Sequence, residues 1–141
     1  IVSSMKGGGT SLESMNAGGL CGFGTPLDPI LTISDNLSGQ VVAKEGELPP
    51  IWEEVELNVT LMEYMVATEK EDQHSIHPLR NNEMLMVNIA TATSVGIVSE
   101  SKKGIVKLKL RLPICSDIGS KMTLSRRVGS RWRLIGFGTL L

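Results

Sequence analysis

The sequence predicts an all-β fold, and three observations carry the prediction. Apolar and polar residues alternate at a period of two over Val55, Leu57, Val59 and Leu61, and again over Val106, Leu108, Leu110 and Leu112. That period belongs to strands with one buried face. Turn residues punctuate such runs, among them Asn81-Asn82, Lys102-Lys103-Gly104 and Gly129-Ser130. No stretch carries a convincing helical period, and no heptad or longer repeat is visible, so a sandwich or a barrel is expected.

Taken in order, residues 1–6 read as the end of a strand. Gly7-Gly8-Gly9 through Gly18-Gly19 reads as a flexible loop, and Leu20 to Thr25 as a strand whose Gly22 and Gly24 mark bulges or close packing. Pro26-Leu27-Asp28-Pro29 is a turn, and Gly39 to Lys44 a further short strand. Glu47-Leu48-Pro49-Pro50 is a stiff connector, because consecutive prolines favour polyproline geometry; a domain boundary is placed there, between 1–47 and 48–141. Val55 to Leu61 is then a strand with Glu54, Glu56, Asn58 and Thr60 on its solvent face, and residues 63–82 form an acidic polar loop. Leu85, Val87 and Ile89 line the buried face of the next strand, Val95 to Ser99 follows, and Lys107, Lys109 and Arg111 form a basic stripe outside Val106 to Leu112. A solvated strand face accounts for such a stripe, and lysine at an edge discourages aggregation.

The last stretch, Met122 to Gly138, reads as a β-hairpin around Gly129-Ser130, a pair suited to a type II′ turn because glycine accepts the positive φ of its first position. The two-residue loop sets Val128 opposite Arg131, Arg127 opposite Trp132 and Arg126 opposite Arg133. Alternation gathers Arg126, Arg131 and Arg133 on one face at the tip, with Met122, Leu124, Ile135 and Phe137 deeper on that face as core. Like charges directly opposite each other repel, so an anion is expected beside them: a carboxylate of the chain, or a phosphate, which the guanidinium fork recognises. On the other face, Arg127 and Trp132 are placed for a cation–π contact.

Composition narrows the function. With 141 residues the chain holds one domain, or a small domain and a piece of another, and 41% hydrophobic residues suffice for a core. No apolar run approaches membrane-spanning length and no signal segment is present. Aromatics at 4% argue against a base-stacking platform for single strands. The net charge of -1 conceals an asymmetry: residues 1–100 hold four Lys or Arg against fourteen Asp or Glu, and residues 101–141 hold ten against Asp117 alone. Either an anionic partner meets the basic end, or paired strands neutralise each other internally.

Enzymatic and metal chemistry find no constellation. Cys21 and Cys115 are read as reduced, buried thiols of a cytosolic protein, too few for a disulfide framework or a metal knuckle. The triple glycine lacks the Gly-Lys-Ser/Thr ending of a phosphate loop. His74 and His77 with Glu69, Glu71 and Asp72 lie in one polar loop without a second spaced ligand pair, so a solvated loop is expected rather than a metal site. Cys115 with His77 lacks an orienting partner. The sequons at Asn36 and Asn58 carry no meaning without a secretory signal.

The order of segments nevertheless resembles one family. Gly18-Gly19-Leu20-Cys21-Gly22-Phe23-Gly24-Thr25, Leu27-Asp28-Pro29, Gly39-Gln40-Val41-Val42 and Leu48-Pro49-Pro50-Ile51-Trp52 are similar to the gamma subunit of heterotrimeric translation initiation factor two. So are Asn82 to Ile89, Leu112-Pro113-Ile114-Cys115, and above all Leu124-Ser125-Arg126-Arg127 with Trp132 to Gly138. The resemblance implies an elongation-factor-Tu-like third-domain β-barrel over 48–141, preceded by the closing strands of a second barrel over 1–47. It implies a non-catalytic C-terminal part of a GTPase whose GTP and magnesium lie in a domain outside this chain. That family delivers initiator methionyl-tRNA to the small ribosomal subunit with alpha and beta subunits, and an assembly chaperone is a further expected partner. Arg126, Arg127, Arg131, Arg133 and Lys121 are accordingly the candidate contacts to ribosomal RNA. Gly18, Gly19 and Gly22 are the candidates for close approach to the aminoacyl end of tRNA, unless they serve a tight barrel corner. The alternatives are the barrel of another translational GTPase, such as the selenocysteine-specific elongation factor, or a purely structural, protein-docking barrel.

Overall fold

The computed structural model describes residues 1–16, 18–64 and 75–141. They divide into two units, Ile1–Leu37 and Ser38–Leu141, a division that follows Leu37 and precedes the proline connector.

The first unit is a three-stranded antiparallel sheet of β1 (Ser4–Gly7), β2 (Thr10–Leu12) and β3 (Cys21–Gly24), with β1 in the middle. Gly8 and Gly9 turn the chain between β1 and β2 with φ of 58° and 82°, so the glycine-rich run expected to be a loop is partly a hairpin. After β3 come the 3-10 turns of Pro29–Asp35, where no helix is expected from periodicity. Their origin is local: the Asp28 carboxylate accepts the Ile30 N–H at 3.0 Å, and proline presets the first helical φ.

The second unit holds β4 (Ile51–Leu61), β5 (Met84–Ile89), β6 (Ala92–Lys102), β7 (Ile105–Cys115), β8 (Lys121–Val128) and β9 (Arg131–Leu140). They form a closed antiparallel barrel in the order β4-β7-β6-β5-β8-β9, with β9 returning to pair β4. The period-two residues do what alternation predicts: Leu57, Leu85, Val87, Val106, Leu108 and Leu124 point inward and are buried. Each such side chain contributes about 1.5–3 kcal/mol by leaving water. Two glycines close the barrel. A Cβ on Gly136 would lie 2.3 Å from the Thr60 carbonyl oxygen, and one on Gly138 would lie 3.0 Å from Leu57 Cβ, so only glycine lets β9 approach β4. Between β6 and β7 the chain turns through Lys103 and Gly104, both at positive φ.

Three strand-level expectations are corrected. Phe137 is 40% exposed and faces out, because the β8–β9 register slips between Leu124 and Ser125. Beyond that bulge Gly136 and Gly138, not Phe137, lie opposite Leu124 and Met122 on the inner face. Leu112 is likewise exposed: the β4–β7 register shifts between Trp52 and Glu54, and the Ser94 hydroxyl donates to the Leu112 carbonyl and accepts its N–H. Gly39 to Lys44 forms no strand, since a closed barrel offers no free ladder edge. Gly39, at φ 82°, instead rests against Thr91 and Ala92 in and beside the β5–β6 turn.

Candidate nucleic-acid interface

The β8–β9 hairpin has the predicted register. Val128 pairs with Arg131, Arg127 with Trp132 and Arg126 with Arg133. Gly129 has φ 59° while Ser130 stays out of the positive region, as a type II′ turn requires. Arg126, Arg131 and Arg133 therefore share one face at the barrel end.

Within that face the arginines differ in kind. Arg126 is largely buried and engaged through all three of its side-chain nitrogens. Its Nε donates to Glu83 Oε1 at 2.5 Å and Nη2 to Glu83 Oε2 at 3.2 Å, while Nη1 donates to the His77 carbonyl at 3.1 Å. The carboxylate in turn accepts the Arg80 backbone N–H at 3.0 Å. The like-charge pairing of Arg126 with Arg133 is thus answered by a carboxylate from the turn before β5. Arg131 is exposed and Arg133 half-buried, and neither forms an ion pair among the described residues.

The remaining candidates are not brought to the same place. Arg127 is in register with Trp132, but its Nε donates back to the Gly129 carbonyl at 3.3 Å. The cation–π contact observed lies elsewhere: Lys121 Nζ sits 5.6 Å from the centre of the Phe137 ring. Lys121 pairs with Thr139 at the far end of the hairpin, away from the tip arginines. On β7, Lys107 reaches Glu56 at 3.5 Å and Glu100 at 4.0 Å, so part of the basic stripe is neutralised by its neighbours. The Glu100 carboxyl is held below the usual carboxylate range, chiefly by the hydrogen bond from Lys102.

Gly18 and Gly19 adopt φ of 108° and 82°, which explains glycine there without a partner. Gly22 does not: its φ is ordinary, and a Cβ built on it would meet nothing within 4 Å. Of the polar loop expected to be solvated rather than metal-binding, Glu69, Glu71, Asp72 and His74 lie outside the described residues, and His77 is exposed. Among the described residues no three His, Cys, Asp or Glu gather to hold a metal ion. No helix among them is long and apolar enough to cross a membrane.

One feature escapes sequence reasoning. A cleft of about 450 Å³ opens beside the Arg126–Glu83 pair, lined by His77, Pro78, Arg80, Asn81 and Asn82. The Asn81-Asn82 turn signal is its only trace in the sequence, since Glu83 and Arg126 stand 43 residues apart.

The family model described as Initiation factor eIF2 gamma, C terminal, matches residues 53–140. The chain belongs to this family. It is 48% identical over 139 residues to translation initiation factor 2 subunit gamma of Methanocaldococcus jannaschii, covering 99% of this chain and 33% of the relative. Identity to the same subunit of Thermococcus kodakarensis is 45% over 137 residues, again 97% of this chain and 33% of that one. The chain thus spans about a third of the length of these gamma subunits. Among solved structures, it is similar to apo translation elongation factor SelB from Methanococcus maripaludis, with a TM-score of 0.60 over 99% of this chain and 32% of that one. At 12% identity that likeness speaks for the elongation-factor type of barrel alone. The β8–β9 hairpin therefore combines three physical duties: closing the barrel through Gly136 and Gly138, bracing the 77–83 turn through Arg126, and presenting Arg131 fully and Arg133 in part to solvent.

Proposed function

We propose that this chain is the non-catalytic C-terminal part of a translational GTPase subunit that delivers initiator methionyl-tRNA to the small ribosomal subunit. GTP and magnesium belong, on this reading, to a part of the gamma subunit outside these residues, as do most contacts with the alpha and beta subunits. The setting is cytoplasmic, and an assembly chaperone is an additional partner. The family membership over 53–140 supports the role in initiation.

For the barrel itself the proposal is an RNA-facing hairpin tip, and one observation carries it. Of three arginines on one face, Arg126 is answered by Glu83, while Arg131 and Arg133 have no carboxylate among the described residues. Guanidiniums gathered at a two-residue turn are suited to phosphates. Arg127 adds charge at the tip; Lys121, stacked on Phe137, is a peripheral contributor. Gly22, unexplained by crowding or φ, keeps its proposed place near the aminoacyl end of tRNA together with Gly18 and Gly19. The test is footprinting of the chain on small-subunit ribosomal RNA. Protection is expected, and Arg131→Ala with Arg133→Ala should weaken it while Arg126→Lys leaves it in place. Protection undiminished by the double change would overturn the reading.

A second reading has its own support. On the outer face Met84 lies opposite Ile97, and Leu134 lies across β8 in the row of Met86 and Ser125, with exposures of 54%, 44% and 41% for Met84, Ile97 and Leu134. A barrel that docks only protein would lose its partner on changing these apolar residues and would be indifferent to the arginines.

A further inference from the structure

We propose that the cleft formed by His77, Arg80, Asn81 and Asn82 beside Arg126 is a pocket for one unpaired RNA nucleotide, an inference that rests on the RNA reading of the hairpin tip. The wall of the cleft is held in place before any ligand arrives. Arg126 donates to the carbonyls of His77 and Pro78, the Glu83 carboxylate takes the Arg80 N–H, and the Asn82 N–H donates to the Val98 carbonyl at 2.7 Å. Those bonds use the backbone of the turn and the Arg126–Glu83 pair. The side chains of His77, Arg80, Asn81 and Asn82 are exposed and take no part in them. Asn82 sits at φ 63°, a left-handed conformation fixed by the bonds on either side of it.

These side chains, which form no hydrogen bond among the described residues, define the ligand. Two carboxamides offer donors and acceptors together, as the edge of a nucleobase requires. An imidazole gives a flat face for stacking, and Arg80 a cation for the attached phosphate. The cleft volume of about 450 Å³ lies in the range of small-ligand pockets. Its position also fits. Arg133 lies directly opposite Arg126 in the ladder, so a backbone running along Arg131 and Arg133 passes the mouth of the cleft. Duplex RNA hides its base edges in a deep, narrow groove, whereas a bulged or looped nucleotide can turn out into such a pocket. Arg126 is a positioning residue here, since its donors already serve the protein.

The experiment compares binding of the chain to two RNA hairpins with the same stem, one fully paired and one with a single bulged nucleotide. The parent chain should prefer the bulged RNA by about tenfold, the scale of one base contact. Asn81→Ala with Asn82→Gly should erase that preference and leave affinity for the paired stem unchanged; glycine is chosen because it accepts the φ of Asn82. Arg131→Ala with Arg133→Ala should weaken both RNAs alike. A parent without preference, or an asparagine variant that keeps it, overturns the pocket even where the arginine change weakens both RNAs. Indifference of both RNAs to the arginine change is the separate failure of the tip.

Discussion

Arg126 and Glu83 make the strongest residue-level statement in the barrel. A guanidinium and a carboxylate with side-chain exposures of 17% and 18% share two hydrogen bonds, and both also bind backbone of the 77–83 turn. Removing one partner leaves the other charge in poorly solvated surroundings. Arg126→Ala should therefore cost about 2–3 kcal/mol in denaturant unfolding, and Glu83→Gln less, since the amide keeps part of the network. The change at Arg131→Ala should lie within about 0.5 kcal/mol of the parent, because that side chain stands in solvent. The sequence makes the opposition of Arg126 and Arg133 legible through turn chemistry. It leaves open which arginine finds a carboxylate, because that depends on a long-range contact no local period encodes.

At the scale of elements, closure depends on glycines in β9 rather than on matched hydrophobic faces alone. Gly136→Ala would drive a methyl into the Thr60 carbonyl and Leu61 Cα, at 2.3 Å and 2.9 Å, and should destabilise the fold by about 2–3 kcal/mol by thermal or chemical unfolding. Gly22→Ala is the contrasting case. With open space around its Cβ it should leave the unfolding midpoint unchanged, and any loss of tRNA affinity would then report on contact with ligand. Strand alternation over Val55 to Leu61, Leu85 to Ile89 and Val106 to Leu110 is readable from periodicity, because one face of each is buried in the barrel. Phe137 and Leu112 are misread for a common reason. A bulge inserts residues without leaving a mark in a hydrophobic pattern, and every position beyond it changes face. The strand expected over Gly39 to Lys44 fails differently: propensity is present, but no partner edge remains.

For the whole molecule, the charge asymmetry resolves into two parts. Lys107 and Lys102 meet Glu56 and Glu100, so some of the basic C-terminal charge is balanced within the barrel wall. Glu100, with its carboxyl lowered by Lys102, stays ionised to lower pH than an ordinary glutamate; the benefit of the pair is present at neutral pH and fades as acid protonates it. Both groups are exposed, so salt weakens this contact. Among the described residues Lys103, Lys109, Arg111 and Lys121 and the tip residues Arg127, Arg131 and Arg133 form no ion pair. On the proposed function, Arg131 and Arg133 meet RNA phosphates while Arg126 meets Glu83. The dependence of RNA affinity on salt is the sharpest check. Plotting log affinity against log salt for the chain and for its Arg131→Ala, Arg133→Ala variant should show the slope reduced by about 1.4–1.8, the release expected for two phosphate contacts. Equal slopes for the two proteins would mean that Arg131 and Arg133 meet no phosphate.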